Sequence, residues 1–269
     1  MQQPIAVLDS GVGGLTVVKE VMRQLPREKI IYFGDTARTP YGPRPADEVT
    51  RFTRQIVDYL IQFRPKMIVI ACNTATAVAL EDIRSRVAIP VVGVIHPGAR
   101  AANGRTQTGI VGVIGTEGTI RSGAYEYALK QLSPSLEVIS LACPKFVPLV
   151  EQGNFRSPET YEAVRSSLAP LKQRRLDTLI LGCTHYPFLA DTISEVMGRE
   201  VALISSNDET AREISTILHD RNKLARNEDS PVHQFFCSGE PRMFKTIAQQ
   251  WLGEQIELTP VVWQVPKIG

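Results

Sequence analysis

The chain has 269 residues, of which 43% are apolar and 22% charged, and it carries a formal net charge of +2. This is the composition of a folded globular protein, which excludes a disordered or collagen-like chain, and the near balance of charge supplies no field to recruit nucleic acid or an anionic membrane. The start Met-Gln-Gln-Pro-Ile lacks the basic and apolar regions of a secretory signal, and no stretch reaches the ~18 apolar residues of a membrane span, so a cytoplasmic location is expected.

Ile5 to Ser10 is a short apolar run closed by polar residues. The glycine turn Gly11-Val12-Gly13-Gly14 follows, then a helical pattern through Leu15, Val18, Val21, Met22 and Leu25. Ile30 to Phe33 gives a second strand, and Asp47 to Phe63 a second helix. Met67 to Ala71 is the third strand with a helix from Thr74 to Arg86, and Pro90 to Ile95 the fourth, ending at His96-Pro97-Gly98. The pattern then restarts. Gly109 to Ile114 leads into Gly115-Thr116-Glu117-Gly118-Thr119 and a helix through Tyr127 and Leu132, followed by a strand over Leu136 to Leu141, a helix over Pro158 to Leu171 and an apolar run from Leu176 to Leu181. Val201 to Ser206 precedes a long helix with Ser206 or Asn207 as its N-cap. Gln234 to Phe236 is a further strand, Ser238-Gly239-Glu240 opens a helix to Trp251, and Ile256 to Trp263 supplies a terminal strand. The run Lys172-Gln173-Arg174-Arg175 reads as a solvated helix end.

Nearly all-apolar strands alternating with helices predict an α/β fold with mainly parallel sheets covered on both faces. Ser10 precedes Thr116 by 106 residues and Cys72 precedes Cys183 by 111, and these near-equal offsets predict an internal duplication. Two pseudo-symmetric αβα domains are therefore expected, residues 1–97 plus 208–269 and residues 98–207, with the active site in the cleft between them.

Ligands of such sheets sit beyond the carboxyl ends of the strands. Asp9, Ser10, Cys72, Asn73, Thr116, Cys183, Thr184 and His185 all fall there. A lone cysteine after an apolar strand is more often a small buried hydrophobe. Cys143 and Cys237, which lack the Asn-Thr or Thr-His neighbours of the other two, are assigned to packing. The four thiols form no C-x-x-C, which argues against a zinc site or a disulfide framework. The glycine turn fails as a dinucleotide fingerprint despite Asp35 further on, because Thr16 stands where the third glycine belongs. Thr39-Pro40-Tyr41-Gly42-Pro43 is either a plain turn or a loop bringing a phenol and backbone amides to a ligand. His185, two residues beyond Cys183, can lower the pKa of a thiol, normally ~8.5, or accept its proton. His96, His219 and His233 are read as structural.

Two thiols presented from opposite sides of one cleft suit inversion of a carbon bearing a hydrogen. One removes the proton from one face while the other delivers a proton to the opposite face. A hydrolase or transferase using Cys183 and His185 alone leaves Cys72 without a role, and a non-catalytic interaction protein leaves both polar sets unexplained.

Val7-Leu8-Asp9-Ser10-Gly11-Val12-Gly13-Gly14-Leu15, Pro40-Tyr41-Gly42, Ala71-Cys72-Asn73-Thr74-Ala75, Gly112-Val113-Ile114-Gly115-Thr116 and Leu181-Gly182-Cys183-Thr184-His185-Tyr186-Pro187 resemble, in order, the signature blocks of the glutamate racemases. The two cysteine blocks are shared with other cofactor-independent amino-acid racemases, including those acting on aspartate. The resemblance implies interconversion of L- and D-glutamate without a cofactor or metal, supplying D-glutamate for peptidoglycan. Carried onto this chain, it implies Cys72 and Cys183 as proton carriers assisted by Asp9 and His185. It also implies Ser10, Tyr41, Gly42, Asn73, Thr74, Thr116, Thr119 and Thr184 as substrate contacts, with Asp9 and His185 sharing in them, and Glu151 as an assisting carboxylate. It further implies a homodimer and, for some members, an interaction with gyrase. Some members carry an N-terminal extension associated with activation by a peptidoglycan precursor. With the first strand at about Ile5, independence of that activator is expected.

Overall fold

The computed structural model of the chain describes residues 3–226, 230–253 and 258–260. In chain order the first half contains β1 (Ile5–Asp9), α1 (Leu15–Gln24), β2 (Ile30–Gly34), α2 (Ala46–Leu60), β3 (Met67–Ile70), α3 (Asn73–Arg86), β4 (Val91–Gly93) and α4 (Ile95–Arg105). The second half contains β5 (Ile110–Gly115), α5 (Glu117–Arg121), α6 (Ala124–Leu132), β6 (Glu137–Ala142), α7 (Phe146–Glu151), α8 (Pro158–Lys172), β7 (Thr178–Gly182), α9 (Ala190–Met197) and β8 (Ala202–Ile204). The chain then returns to the first sheet through α10 (Asn207–Asp220), β9 (Gln234–Cys237), α11 (Pro241–Leu252) and β10 (Leu258–Pro260).

Among the described residues the strands form two parallel sheets, ordered β10-β9-β2-β1-β3-β4 and β6-β5-β7-β8. Leaving aside the returning β9 and β10, the two orders correspond strand for strand, so β1 answers to β5 and β3 to β7. The duplication expected from the spacing of Ser10, Thr116, Cys72 and Cys183 is therefore a duplication of topology. In the first sheet Val7 lies opposite Tyr32 on one side and Val69 on the other. In the second, Val113 holds the same place between Ser140 and Ile180.

Every residue of β1, β2, β3 and β7 is buried, because helices cover both faces of each sheet. On the first sheet, one cluster joins Ile5, Val7 and Val69 to α1, α10 and α11, and the other joins Leu8, Ile31 and Ile70 to α2 and α3. On the second sheet, the two clusters lie beneath α7, α8 and α9 and beneath α4 and α6. The expected break at 97/98 falls in the first turn of α4, whose Ile95, Ala99 and Ala102 pack with the second sheet. His96-Pro97-Gly98 is thus helical rather than a strand-ending turn. A proline is tolerated there because the first turn of a helix has no partner for its N–H.

Smaller departures have similar local causes. The third helix starts at Asn73 because the Cys72 sulfur takes the N-cap position. Ser206 stands at the N-cap of α10 without a side-chain capping bond, and its carbonyl instead accepts the Thr210 hydroxyl at 2.7 Å. Of the terminal strand expected over 256–263, β10 covers Leu258–Pro260, and residues 256, 257 and 261–263 lie outside the described residues. Cys143 and Cys237 are fully buried in apolar clusters. Among the described residues no helix is long and apolar enough to cross a membrane.

Candidate active site

Parallel strands end on one edge, and here the two sheets turn those edges toward each other. Ser10 follows β1, Cys72 follows β3, Thr116 follows β5, and Cys183, Thr184 and His185 follow β7. These residues line one small, tightly walled cavity together with Pro40, Tyr41, Gly42, Asn73, Thr74 and Val147. Three other expected residues stand one layer behind. Asp9 bonds Thr184, Thr119 bonds Thr74 and Thr116, and Glu151 bonds His185.

The two thiols have different surroundings. Cys72 accepts from the Ala75 backbone N–H at 3.5 Å and faces the Ser10 hydroxyl at 3.6 Å. Burial, reinforced by the charge of Asp9, nevertheless pushes its pKa up to about 12, because the two hydrogen bonds offset only part of the loss of solvent. At neutral pH Cys72 is therefore a thiol with a proton to give. Cys183 faces His185 Nδ1 at 3.7 Å, and His185 Nε2 bonds Glu151 Oε1 at 2.5 Å. Burial works against a charged imidazole, but the hydrogen bonds to Cys183 and Glu151 and the nearby Glu151 carboxylate outweigh it. His185 is held well above its ordinary 6.5. The group beside Cys183 is thus an imidazolium backed by a carboxylate.

Asp9 has no exposed surface, and burial raises its pKa against the opposing pull of His185 and of the hydrogen bonds it accepts. Its Oδ2 takes the Gly11 N–H at 2.9 Å and its Oδ1 the Thr184 hydroxyl at 3.1 Å. The glycine turn exists for this close packing. A Cβ at Gly13 would lie 2.5 Å from Thr184 Oγ1 and 2.6 Å from His185 Nδ1, and one at Gly14 would lie 2.6 Å from the Asp9 Cβ.

On the Cys72 side the two halves meet through neutral groups. The hydroxyls of Thr74, Thr116 and Thr119 form a triangle with sides of 2.9, 3.1 and 3.2 Å, and Gly118 N–H donates to Gly42 O at 2.8 Å. Tyr125 donates to Asn73 Oδ1 at 2.7 Å. Tyr41 borders the cavity, but its hydroxyl is given to Asp35 and is not free for a ligand. Asp35 also accepts from Arg38 Nε and from the Ser238 hydroxyl, each at 2.6 Å, and so ties the 40–42 loop to the end of β9.

Sequence reasoning missed Val147, Asp35 and Tyr125. Val147 and Tyr125 look like ordinary apolar positions of helices, and Asp35 stands out in the sequence only as a nucleotide contact. Among the described residues no group of three or more His, Cys, Asp or Glu side chains is arranged to hold a metal ion.

Residues 5–214 match the family described as Asp/Glu/Hydantoin racemase. The chain is 57% identical over 257 residues to the glutamate racemase of Bacillus cereus (strain ATCC 10987 / NRS 248), with 96% of each chain covered. It superposes on the glutamate racemase isoform RacE1 of Bacillus anthracis with a TM-score of 0.93 at 49% identity, covering 96% of this chain and 97% of that one. On the glutamate racemase of Francisella tularensis in complex with D-glutamate the TM-score is 0.90 at 34% identity, with 97% of each chain covered.

Proposed function

The chain belongs to the Asp/Glu/hydantoin racemase family and interconverts L- and D-glutamate, and from that premise we propose that Cys72 and Cys183 are the two proton carriers. The observation that carries this reading is that equivalent strands, β3 and β7, each deliver a thiol to the same cavity. A thiolate on one side takes the α proton. The opposite thiol gives its proton to the other face of the carbanion, and the two sulfurs leave with exchanged protonation. In one direction the protonated Cys72 is the donor, and the imidazolium of His185, held by Glu151, offsets the negative charge of a Cys183 thiolate.

An α proton beside a carboxylate is weakly acidic, so the carbanion needs donors fixed in advance. The Ser10 hydroxyl and the backbone amides at the start of α3 supply them, while the Asn73 amide binds the substrate carboxylate alike in the ground and transition states. Tyr41 and Gly42 contribute through the loop that borders the cavity, and Thr74, Thr116, Thr119 and Thr184 hold the walls. Closing the half built on the first sheet against the half built on the second excludes water and strengthens each contact. The D-glutamate formed serves peptidoglycan synthesis and so cell-wall biogenesis and cell shape. We take the protein to be a cytoplasmic homodimer on family likeness, which sedimentation checks; a contact with gyrase rests on the same likeness.

The test is incubation with L-glutamate, and separately with L-aspartate, in D2O. Optical rotation should decay and deuterium should enter the α position of glutamate. Cys72→Ser and Cys183→Ser should each lower turnover by about 10²–10⁴-fold, the usual contribution of a positioned acid or base. Wild-type turnover in either variant removes the two-thiol assignment.

A further inference from the structure

We propose that Tyr125 is a positioning residue for this reaction: it turns the Asn73 amide so that the Nδ2 hydrogens face the substrate carboxylate between the two thiols. The inference rests on the racemase reading above. Tyr125 belongs to α6, in the half that carries Cys183, and it is 2% exposed. Its ring occupies space kept open by glycine. A Cβ at Gly182, the residue before Cys183, would sit 3.0 Å from its Cε2, and one at Gly98 would sit 3.3 Å from its hydroxyl. From there the hydroxyl crosses between the halves and donates to Oδ1 of Asn73, the residue after Cys72, at 2.7 Å. One side chain thus rests on the backbone entering one thiol and grips the residue leaving the other.

Asn73 lines the cavity and is 2% exposed, and among the described residues its Nδ2 has no hydrogen-bond partner. With Oδ1 engaged by Tyr125, the donor end of the amide is set. A flip would make the phenol turn its proton away to Ser206, which also hydrogen-bonds it, and would put an acceptor into the cavity. Burial holds the Tyr125 phenol above its usual range, so it remains a donor wherever the enzyme works. A buried N–H without a partner is costly, and a carboxylate oxygen reaching it recovers that cost only in the bound state. The neighbouring hydroxyls are already engaged, Thr184 with Asp9 and Thr74 with Thr116 and Thr119.

Tyr125→Phe keeps the ring and removes the hydroxyl. It should raise KM for both enantiomers by roughly 5–10-fold, the range of one lost hydrogen bond, while kcat changes less than about twofold. In an Asn73→Ala background the same change should have no further effect. Additive losses, a fall in kcat at constant KM, or no change at all would overturn the proposal. Should Tyr125→Phe melt before assay, Asn73→Asp decides with Tyr125 intact. It replaces the cavity-facing donor by an acceptor and should raise KM by at least about tenfold, whereas an unchanged KM overturns the orientation. Wild-type protein run in the same deuterium-exchange assay separates the two levels, since its failure to exchange glutamate would strike the racemase reading itself.

Discussion

His185 is held between two acceptors, the Cys183 sulfur and the Glu151 carboxylate, and this fixes what a neutral amide at 151 should do. Glu151→Gln removes the charge that keeps the imidazole protonated, so His185 loses its proton at lower pH. Because the folded pKa lies above the ordinary 6.5, the stability drawn from this pair is complete below about pH 6.5 and is lost as pH rises through the folded value. The alkaline limb of kcat/KM should therefore move to lower pH in Glu151→Gln, with turnover at pH 8 reduced by about tenfold or more. A superimposable pH profile would show that the imidazolium is not the form in use. At this scale the sequence disclosed chemistry well and orientation poorly. Cys72, Cys183 and His185 advertise themselves by type and spacing, whereas the sequence holds nothing to say that the Tyr41 hydroxyl turns to Asp35 or that Tyr125 reaches Asn73, since both depend on contacts between distant segments.

The elements were legible where periodicity was long and buried. The runs at Ile5, Ile30, Met67 and Leu176 became strands because both faces of each sheet are covered. Edges and joints were less so: β4 stops at Gly93 because α4 claims Ile95, and a thiol serving as the N-cap of α3 is not an ordinary capping signal. The turn between β1 and α1, whose glycines fail the dinucleotide spacing, instead admits side chains of the opposite half, a use its sequence does not disclose. Gly13→Ala tests this. The added methyl collides with Thr184 and His185, and a displacement of an ångström there should lower kcat/KM by about 10²-fold with little change in the melting temperature. Activity near the wild-type value would mean that the opposite half yields easily, and that the turn is not the close gauge described above.

Across the whole molecule, the cavity is walled by both halves, and the route expected for substrate entry is a parting of the two. The bond from Gly118 N–H to Gly42 O crosses that boundary and reports on it. Its hydrogen exchange should slow by about 100-fold when D-glutamate is present at 100 times its Kd, provided the open form binds weakly. Exchange unaffected by ligand would indicate opening elsewhere. The corresponding strand orders β2-β1-β3-β4 and β6-β5-β7-β8 have one more implication. Mirror-image molecules have equal free energy, so the equilibrium constant of the reaction is unity and kcat/KM must be identical in the two directions. The repeated architecture supplies near-matching faces, yet Cys72 and Cys183 have unlike neighbours. That inequality is confined by thermodynamics to kcat and KM separately: whichever enantiomer has the lower KM must have the lower kcat by the same factor.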